Sequence, residues 1–277
     1  MVYLLLNWSF FAALLMALIT GCSQPAAVES TPVPTITPTP APAVDDTLFG
    51  PVNSWESVSP GLERRRYLPS DNALTQMIAL RIDPAQFSFR VHYQPAQPLT
   101  AQQWIEALPD AVAIINANFF TRDNTALGLV VADGIAHGQS YVDQGGMFAV
   151  QDGLPRVQNL ILQPYDGSPL EQAVQAFPNL VTDGSPAPIT SPNDRITRRS
   201  VIGQDQAGRI ILLATPFLGL ELIPLADYLA AADLDLTTAF NLDGGGSTLL
   251  VAPVDGSPQV LVTSFDPVPV VLAVYPR

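Results

Sequence analysis

The sequence predicts an α+β fold: a single domain over residues 49–277, with a mixed, largely antiparallel sheet and a few packed helices. Three observations predict it. Short apolar runs of strand length recur from Leu74 to Tyr275, broken by Asp-Gly, Asp-Pro and Gly-rich turn signals. Some of these runs alternate apolar and polar residues, the mark of a half-buried strand. Only three short stretches, near 100–108, 170–176 and 225–234, read as helices. The 277 residues are 48% hydrophobic and 13% charged, a balance that supports a buried core.

The elements follow in order. Residues 2–19 are an apolar run ending in Leu18-Ile19-Thr20-Gly21-Cys22. This resembles a bacterial lipoprotein signal with its lipobox over residues 1–22, in which Cys22 becomes the lipidated first residue. Two alternatives are an ordinary secretory signal and a short membrane anchor, and the absence of Lys and Arg from MVYLLLNWSF favours those. Residues 23–48 are rich in Pro, Thr and Ala, with six prolines between Pro25 and Pro42. Such a segment favours extended polyproline conformations and reads as a disordered stalk.

Within the domain, 74–83 reads as a strand. Residues 86–93 alternate, with Phe87, Phe89, Val91 and Tyr93 on one face and Gln86, Ser88, Arg90 and His92 on the other. The two are expected to form a hairpin through Asp83-Pro84. Thr100 and Gln103 make a capping-box pattern at a helix start. Strands follow at 111–116, about 127–132 and 145–150, then a helix near 170–176, then strands at 200–203 and 209–215. Residues 225–234 read as a helix with Pro224 in its first turn. The chain closes with strands in TTAFNL, TLLVA, QVLVT and PVVLAVY.

Charge and composition exclude several functions. The net charge is −13, and all twelve basic residues are arginines. A chain this acidic offers no basic stripe for nucleic acid. Without lysine there is no Schiff-base lysine and no P-loop lysine. Cys22 is the one cysteine, so disulfides and cysteine zinc sites are absent. No G-x-S-x-G elbow is present.

Three polar clusters stand at strand ends. Asn116-Ala117-Asn118-Phe119-Phe120 has two readings: a turn, since asparagine tolerates left-handed backbone, or amides presented to a sugar or phosphate. Arg198-Arg199 precedes SVIG; the pair is either solvated or a phosphate fork. Asp243-Gly244-Gly245-Gly246-Ser247-Thr248 reads either as a Gly-rich hairpin or as a loop whose amides converge on an anion.

Taken together, these clusters resemble the phosphodiester glycosidase family over roughly residues 55–275. The resemblance rests on Asn116–Phe120, Gly128–Gly134, Leu180–Gly184, Arg199–Gly203 and, most fully, Asn241–Thr248. It departs at Asn118, where relatives carry glycine, and at Asp266-Pro267-Val268, where relatives often have an arginine. The resemblance implies hydrolysis of a sugar-1-phosphodiester to free sugar and phosphomonoester. The sugar would be one such as an N-acetylhexosamine, released from a phosphodiester-linked glycan or glycolipid at the cell envelope. It implies catalytic roles for Asp243, Asn116 and Arg199. Substrate would be bound by Asn118, Asp183, Gly244, Gly245, Gly246, Ser247 and Thr248. Asp183 and Asp133 are lesser candidates for a second carboxylate, each just before a glycine and equally readable as a turn aspartate. No cofactor is implied, and a divalent cation such as calcium remains open at Asp243. The expected partners are a sugar-phosphate or glycan substrate and, through Cys22, a membrane. The alternative is a non-catalytic glycan-binding lipoprotein on the same fold. A transporter-linked solute-binding protein would show repeated strand–helix lobes, and a structural envelope protein would scatter its polar clusters.

Overall fold

The computed structural model describes residues 48–52, 54–190 and 194–277. The lipobox with Cys22, and the proline-rich segment up to residue 47, lie outside the described residues. From residue 48 onward the chain belongs to one unit. No helix among the described residues is long and apolar enough to cross a membrane.

The fold is more β-rich than the sequence suggests. Three sheets replace one, and every paired strand is antiparallel to its neighbour. In chain order the strands are β1 (Glu56–Ser59), β2 (Leu62–Tyr67), β3 (Met77–Ile82), β4 (Phe87–Tyr93), β5 (Ala113–Asn116), β6 (Val130–Ala132), β7 (Ile135–His137), β8 (Gly146–Gln151) and β9 (Leu154–Asn159). They continue as β10 (Gln172–Ala176), β11 (Asn179–Thr182), β12 (Ser185–Pro186), β13 (Ser200–Asp205), β14 (Ile210–Ala214), β15 (Leu236–Asn241), β16 (Leu250–Val254), β17 (Ser257–Val262) and β18 (Val270–Pro276). The largest sheet has eight strands in the order β1-β2-β3-β14-β13-β15-β11-β12. The two five-stranded sheets run β7-β6-β10-β8-β9 and β17-β16-β5-β18-β4.

The three sheets share one core. Leu80 and Ile82 from β3, Phe87, Phe89 and Val91 from β4, and Phe148 and Val150 from β8 all meet there. The alternation expected in 86–93 is present, but the hairpin with 74–83 is not. β3 pairs with β2 and β14, whereas β4 pairs with β18 in another sheet. The amides of Gln86 and Phe87 both donate to the Asp83 carbonyl, a turn that carries the chain from one sheet to the other. The apolar faces of β3 and β4 therefore meet across the core rather than edge to edge.

Strands apolar on both faces feed two cores. Ile210, Leu212 and Ala214 of β14 enter the central core, while Ile211 and Leu213 pack under helix α2 (Leu222–Ala231). Leu272 and Val274 of β18 likewise face inward, and Val271 and Ala273 support helix α1 (Ala101–Ala107). The capping box at Thr100 and Gln103 forms as expected, and Trp104 is buried with its indole N–H donating to the Val268 carbonyl at 3.2 Å.

Two helix expectations change. α2 starts at Leu222, earlier than expected, and no side chain of its own N-cap residue Glu221 caps it. Residues 172–176 form β10 and not a helix, because pairing with β6 and β8 overrides the helix propensity of Ala and Gln. Its buried glutamines are fully used. Gln172 Oε1 accepts from the Val91 amide at 2.9 Å, and Gln175 Oε1 accepts from the amides of Leu129 and Tyr141 at 3.0 Å each. Such satisfied polar groups fix the register between neighbouring segments.

Candidate active site

The segment after β15 is sewn to two other strand ends. The amide of Leu242 donates to the Ser200 carbonyl at 2.8 Å, and that of Asp243 donates to the Ala117 carbonyl at 2.9 Å. Asn116 completes the seam. Its Nδ2 donates to the Asp243 carbonyl at 2.7 Å, and its Oδ1 accepts from Ser200 Oγ at 2.7 Å and from the Leu249 amide at 2.9 Å. One buried amide thus ties both ends of the 243–249 loop to β13. Asn116 is 1% exposed and sits behind the loop; it does not line the cavity in front of it.

The run of three glycines has three separate causes. A Cβ on Gly244 would lie 2.7 Å from the Arg198 carbonyl oxygen. Gly245 has φ +60, in the left-handed region. A Cβ on Gly246 would collide with the Asp266 carboxylate. The expected anion cradle is therefore largely closed. The Gly244 amide donates to Asp243 Oδ1 at 2.9 Å and the Gly245 amide to the Arg198 carbonyl at 2.9 Å, which leaves the amide of Gly246. The segment Gly245–Ser247 is a 3-10 turn, not a hairpin.

The two arginines divide the work. Arg198 clamps the loop: Nε donates to the Gly245 carbonyl at 3.0 Å, Nη1 to Thr263 at 2.8 Å and Nη2 to Gly246 at 3.3 Å. Its guanidinium also lies 3.9 Å from the Phe265 ring centroid. Arg199 lines the cavity. Its Nε donates to the Leu220 carbonyl at 2.8 Å, and Nη2 donates to the Arg195 carbonyl at 2.8 Å and to Asp194 Oδ1 at 3.1 Å. Nη1 makes no hydrogen bond among the described residues. Burial lowers the Arg199 pKa from its ordinary value, and the Asp194 charge opposes that. Asp194 also accepts from the amides of Leu222 and Ile223, so a remote carboxylate caps α2.

These parts form the floor and one wall of a cavity of about 830 Å³. Asp243 is half-buried on the floor. Burial pushes its carboxyl up to about 6; the bonds from Ser247 and the Gly244 amide pull it down, and the Asp266 charge adds to the rise. Phe119, Ile161, Leu162 and Phe177 also line the cavity.

Other sequence candidates fall elsewhere. Asn118 has no positive φ and does not line the cavity; its Nδ2 donates to the carbonyls of Leu127 and Leu129 at 3.0 and 3.2 Å. It is a structural tie: its Oδ1 also accepts from the Gln175 amide at 3.3 Å, so one side chain joins that segment to β10. Asp183 and Asp133 occupy left-handed turn positions at φ 48 and 49, exposed and away from the cavity. Asp133 pairs with Arg90 at 2.8 Å. Ser247 and Thr248 are buried in the loop, and Ser247 serves Asp243. Among the described residues no three His, Cys, Asp or Glu side chains converge to hold a metal ion, and Asp194 is already spent on Arg199 and α2.

Sequence reasoning did not select Asp194 and Arg195, which line the cavity, or Asp266. Asp194 and Arg195 stand within five residues of Arg199, so the density of charge there was the available signal. Asp266 carried only the departure from the family pattern.

The structure is thus an antiparallel three-sheet fold whose cavity carries carboxylates and arginines. The sequence model for phosphodiester glycosidases matches residues 109–275, more than half of the chain, and the chain belongs to that family. No curated protein matches by sequence. Several solved structures share the fold. The catalytic domain of zebrafish N-acetylglucosamine-1-phosphodiester alpha-N-acetylglucosaminidase, auto-inhibited by its pro-peptide, is similar at TM-score 0.60 and 19% identity, over 80% of this chain and 86% of that one. A hypothetical protein from Synechocystis gives 0.55 at 17% identity, over 78% and 62%. A protein from Burkholderia pseudomallei described as exported gives 0.54 at 13%, over 78% and 74%.

Proposed function

We propose that the chain hydrolyses sugar-1-phosphodiesters, releasing the free sugar, such as an N-acetylhexosamine, and a phosphomonoester. The observation that carries this reading is Asp243. A carboxyl raised to about 6 on the floor of a large cavity is ionised at neutral pH yet basic enough to take a proton. Water adds to the anomeric carbon and gives its proton to Asp243. The bond from that carbon to the phosphate oxygen breaks, and the phosphomonoester leaves with the bonding electron pair. A phosphomonoester is a good leaving group, so no strong general acid is required.

Arg199 holds the phosphate through the open Nη1, with Arg195 beside it at the cavity wall. The amide of Gly246 supplies a further donor. Asn116, Arg198 and Ser247 act through the loop as positioning residues. Release of free sugar and phosphomonoester from such a diester by the full chain, abolished in Asp243→Asn, is the expected result. Binding of the diester with no turnover would favour the non-catalytic glycan-binding alternative.

The apolar run ending at Cys22 supports an extracytoplasmic protein held to the membrane by a lipid on Cys22, and one fold relative is described as exported. A Cys22→Ser chain is expected to move from the detergent phase to the aqueous phase; retention in detergent would count against the anchor.

A further inference from the structure

The cavity is divided by charge. Its charged lining residues are Asp194, Arg195, Arg199 and Asp243, all from 194–199 and the loop after β15. The lining contributed by residues 119–190 carries no charge. At the mouth it is aliphatic and aromatic: Ile161, Leu162 and Phe177 are 53%, 59% and 38% exposed. Single exposed apolar residues are ordinary, but three on one cavity wall form a patch that calls for an occupant.

The wall is built rather than loose. Asn159 Oδ1 accepts from the Ile161 amide and from Asn179 Nδ2, each at 2.9 Å, and its Nδ2 donates to Thr182 Oγ1 at 3.0 Å. The Asn159 carbonyl accepts from the amides of Leu162 and Gln163 at 3.2 and 2.8 Å. Leu160 is buried behind, so the turn is anchored while the next two side chains stand in the open. Phe177 is backed by Phe119 and Tyr141, with ring centroids 4.8 and 5.4 Å away. The wall joins the catalytic floor directly. The Asn241 amide donates to the Pro178 carbonyl at 2.9 Å and Asn241 Nδ2 to Phe177 at 3.2 Å, two residues before Asp243.

We infer that this wall receives an apolar aglycone, so that the substrate is a sugar-1-phosphodiester of a long-chain alcohol. This rests on the hydrolytic reading above. With the phosphate at Arg199, the alkyl chain runs over Phe177, Ile161 and Leu162 toward solvent. A sugar or nucleotide aglycone would need several polar partners beside these three side chains; the side-chain N–H groups of Asn159 and Asn179 are spent within the protein, which leaves Gln144 as the amide donor on that wall.

The test uses the full-length chain with decyl phosphate and methyl phosphate, both below micelle-forming concentration, and the Ile161→Ser/Leu162→Ser variant. Both replaced side chains are exposed, so the variant keeps the core. Calorimetry is expected to show decyl phosphate binding at least about tenfold tighter than methyl phosphate, with most of that advantage lost in the variant. Equal binding of the two phosphates, or a variant that binds decyl phosphate as well as the parent, overturns the inference. Sugar release from methyl and decyl diesters is read in parallel. Turnover of both without preference keeps the hydrolase and removes the lipid aglycone. Selective decyl binding with turnover of neither keeps the apolar site and removes the hydrolase.

Discussion

Replacing Asp243 by Asn is predicted to destroy activity and to strengthen the fold, and the second effect has a defined pH window. The Asp243 carboxyl is raised from 3.8 to about 6, chiefly by burial. Between those values the folded protein holds a proton that the unfolded chain has released. The unfolded state therefore binds fewer protons, and stability falls as pH rises through the window. A shift of that size corresponds to at most about 3 kcal/mol. Asp243 opens onto the cavity, and solvent screening reduces this to about 1–2 kcal/mol. Asparagine keeps an Oδ1 for the Gly244 amide and carries no charge to desolvate. Thermal melts at about pH 7.5 should show Asp243→Asn higher by about 2–8 °C, since 1 kcal/mol moves a domain of this size by about 2–4 °C. At pH below about 3.8 the gain should vanish. A lower melting point at neutral pH, or the same gain at both pH values, would refute the reasoning that the carboxylate is held ionised at a cost.

The glycines should rank by what their missing Cβ would meet: Gly244→Ala is most damaging because it meets the Arg198 backbone carbonyl, Gly245→Ala costs about 1 kcal/mol for its left-handed backbone, and Gly246→Ala is mildest because the exposed Asp266 side chain can swing away. Urea melts of the three variants check the order. Asn116→Ala, which strands the Ser200 hydroxyl, the Leu249 amide and the Asp243 carbonyl, should cost about 2–4 kcal/mol and lower kcat through the displaced loop. Arg199→Lys keeps a charge but loses the open Nη1 donor and the bonds to Leu220, Arg195 and Asp194 that aim it, so kcat/KM for a sugar-1-phosphodiester should fall by about ten- to a hundredfold. If Asp243 is the base, kcat/KM should fall with decreasing pH below about 6 in a steady-state pH profile.

The strands were legible because period-two alternation and apolar runs follow directly from burial on one or both sheet faces, as in β4 and β14. Pairing was less legible. Nothing local in Asp83-Pro84 distinguishes a hairpin from a crossing between sheets, and β10 reads as a helix until its neighbours are known. The site was legible where chemistry and backbone coincide in one segment, as in Asn241–Thr248. It was misread where a long-range partner decides. The glycines make room for Arg198 and Asp266, which are distant in sequence, and Asn116 looks like a ligand because a buried structural amide has the same chemistry as a binding one. Asp133 and Asp183 read equally as lesser candidates for a second carboxylate and as turn aspartates, and both stand at hairpin turns, where an Asp-Gly pair is a backbone preference. The apolar wall gave no local signal, since Ile161 and Leu162 look like core residues until the turn at Asn159 turns them outward.

Glycosidic hydrolysis breaks the bond between the anomeric carbon and the phosphate oxygen. Hydrolysis of a sugar-1-phosphodiester in water enriched in heavy oxygen, followed by mass spectrometry of both products, tests it most directly. The label is expected in the free sugar and not in the phosphomonoester. Label in the phosphomonoester would mean attack at phosphorus and would contradict the glycosidase assignment.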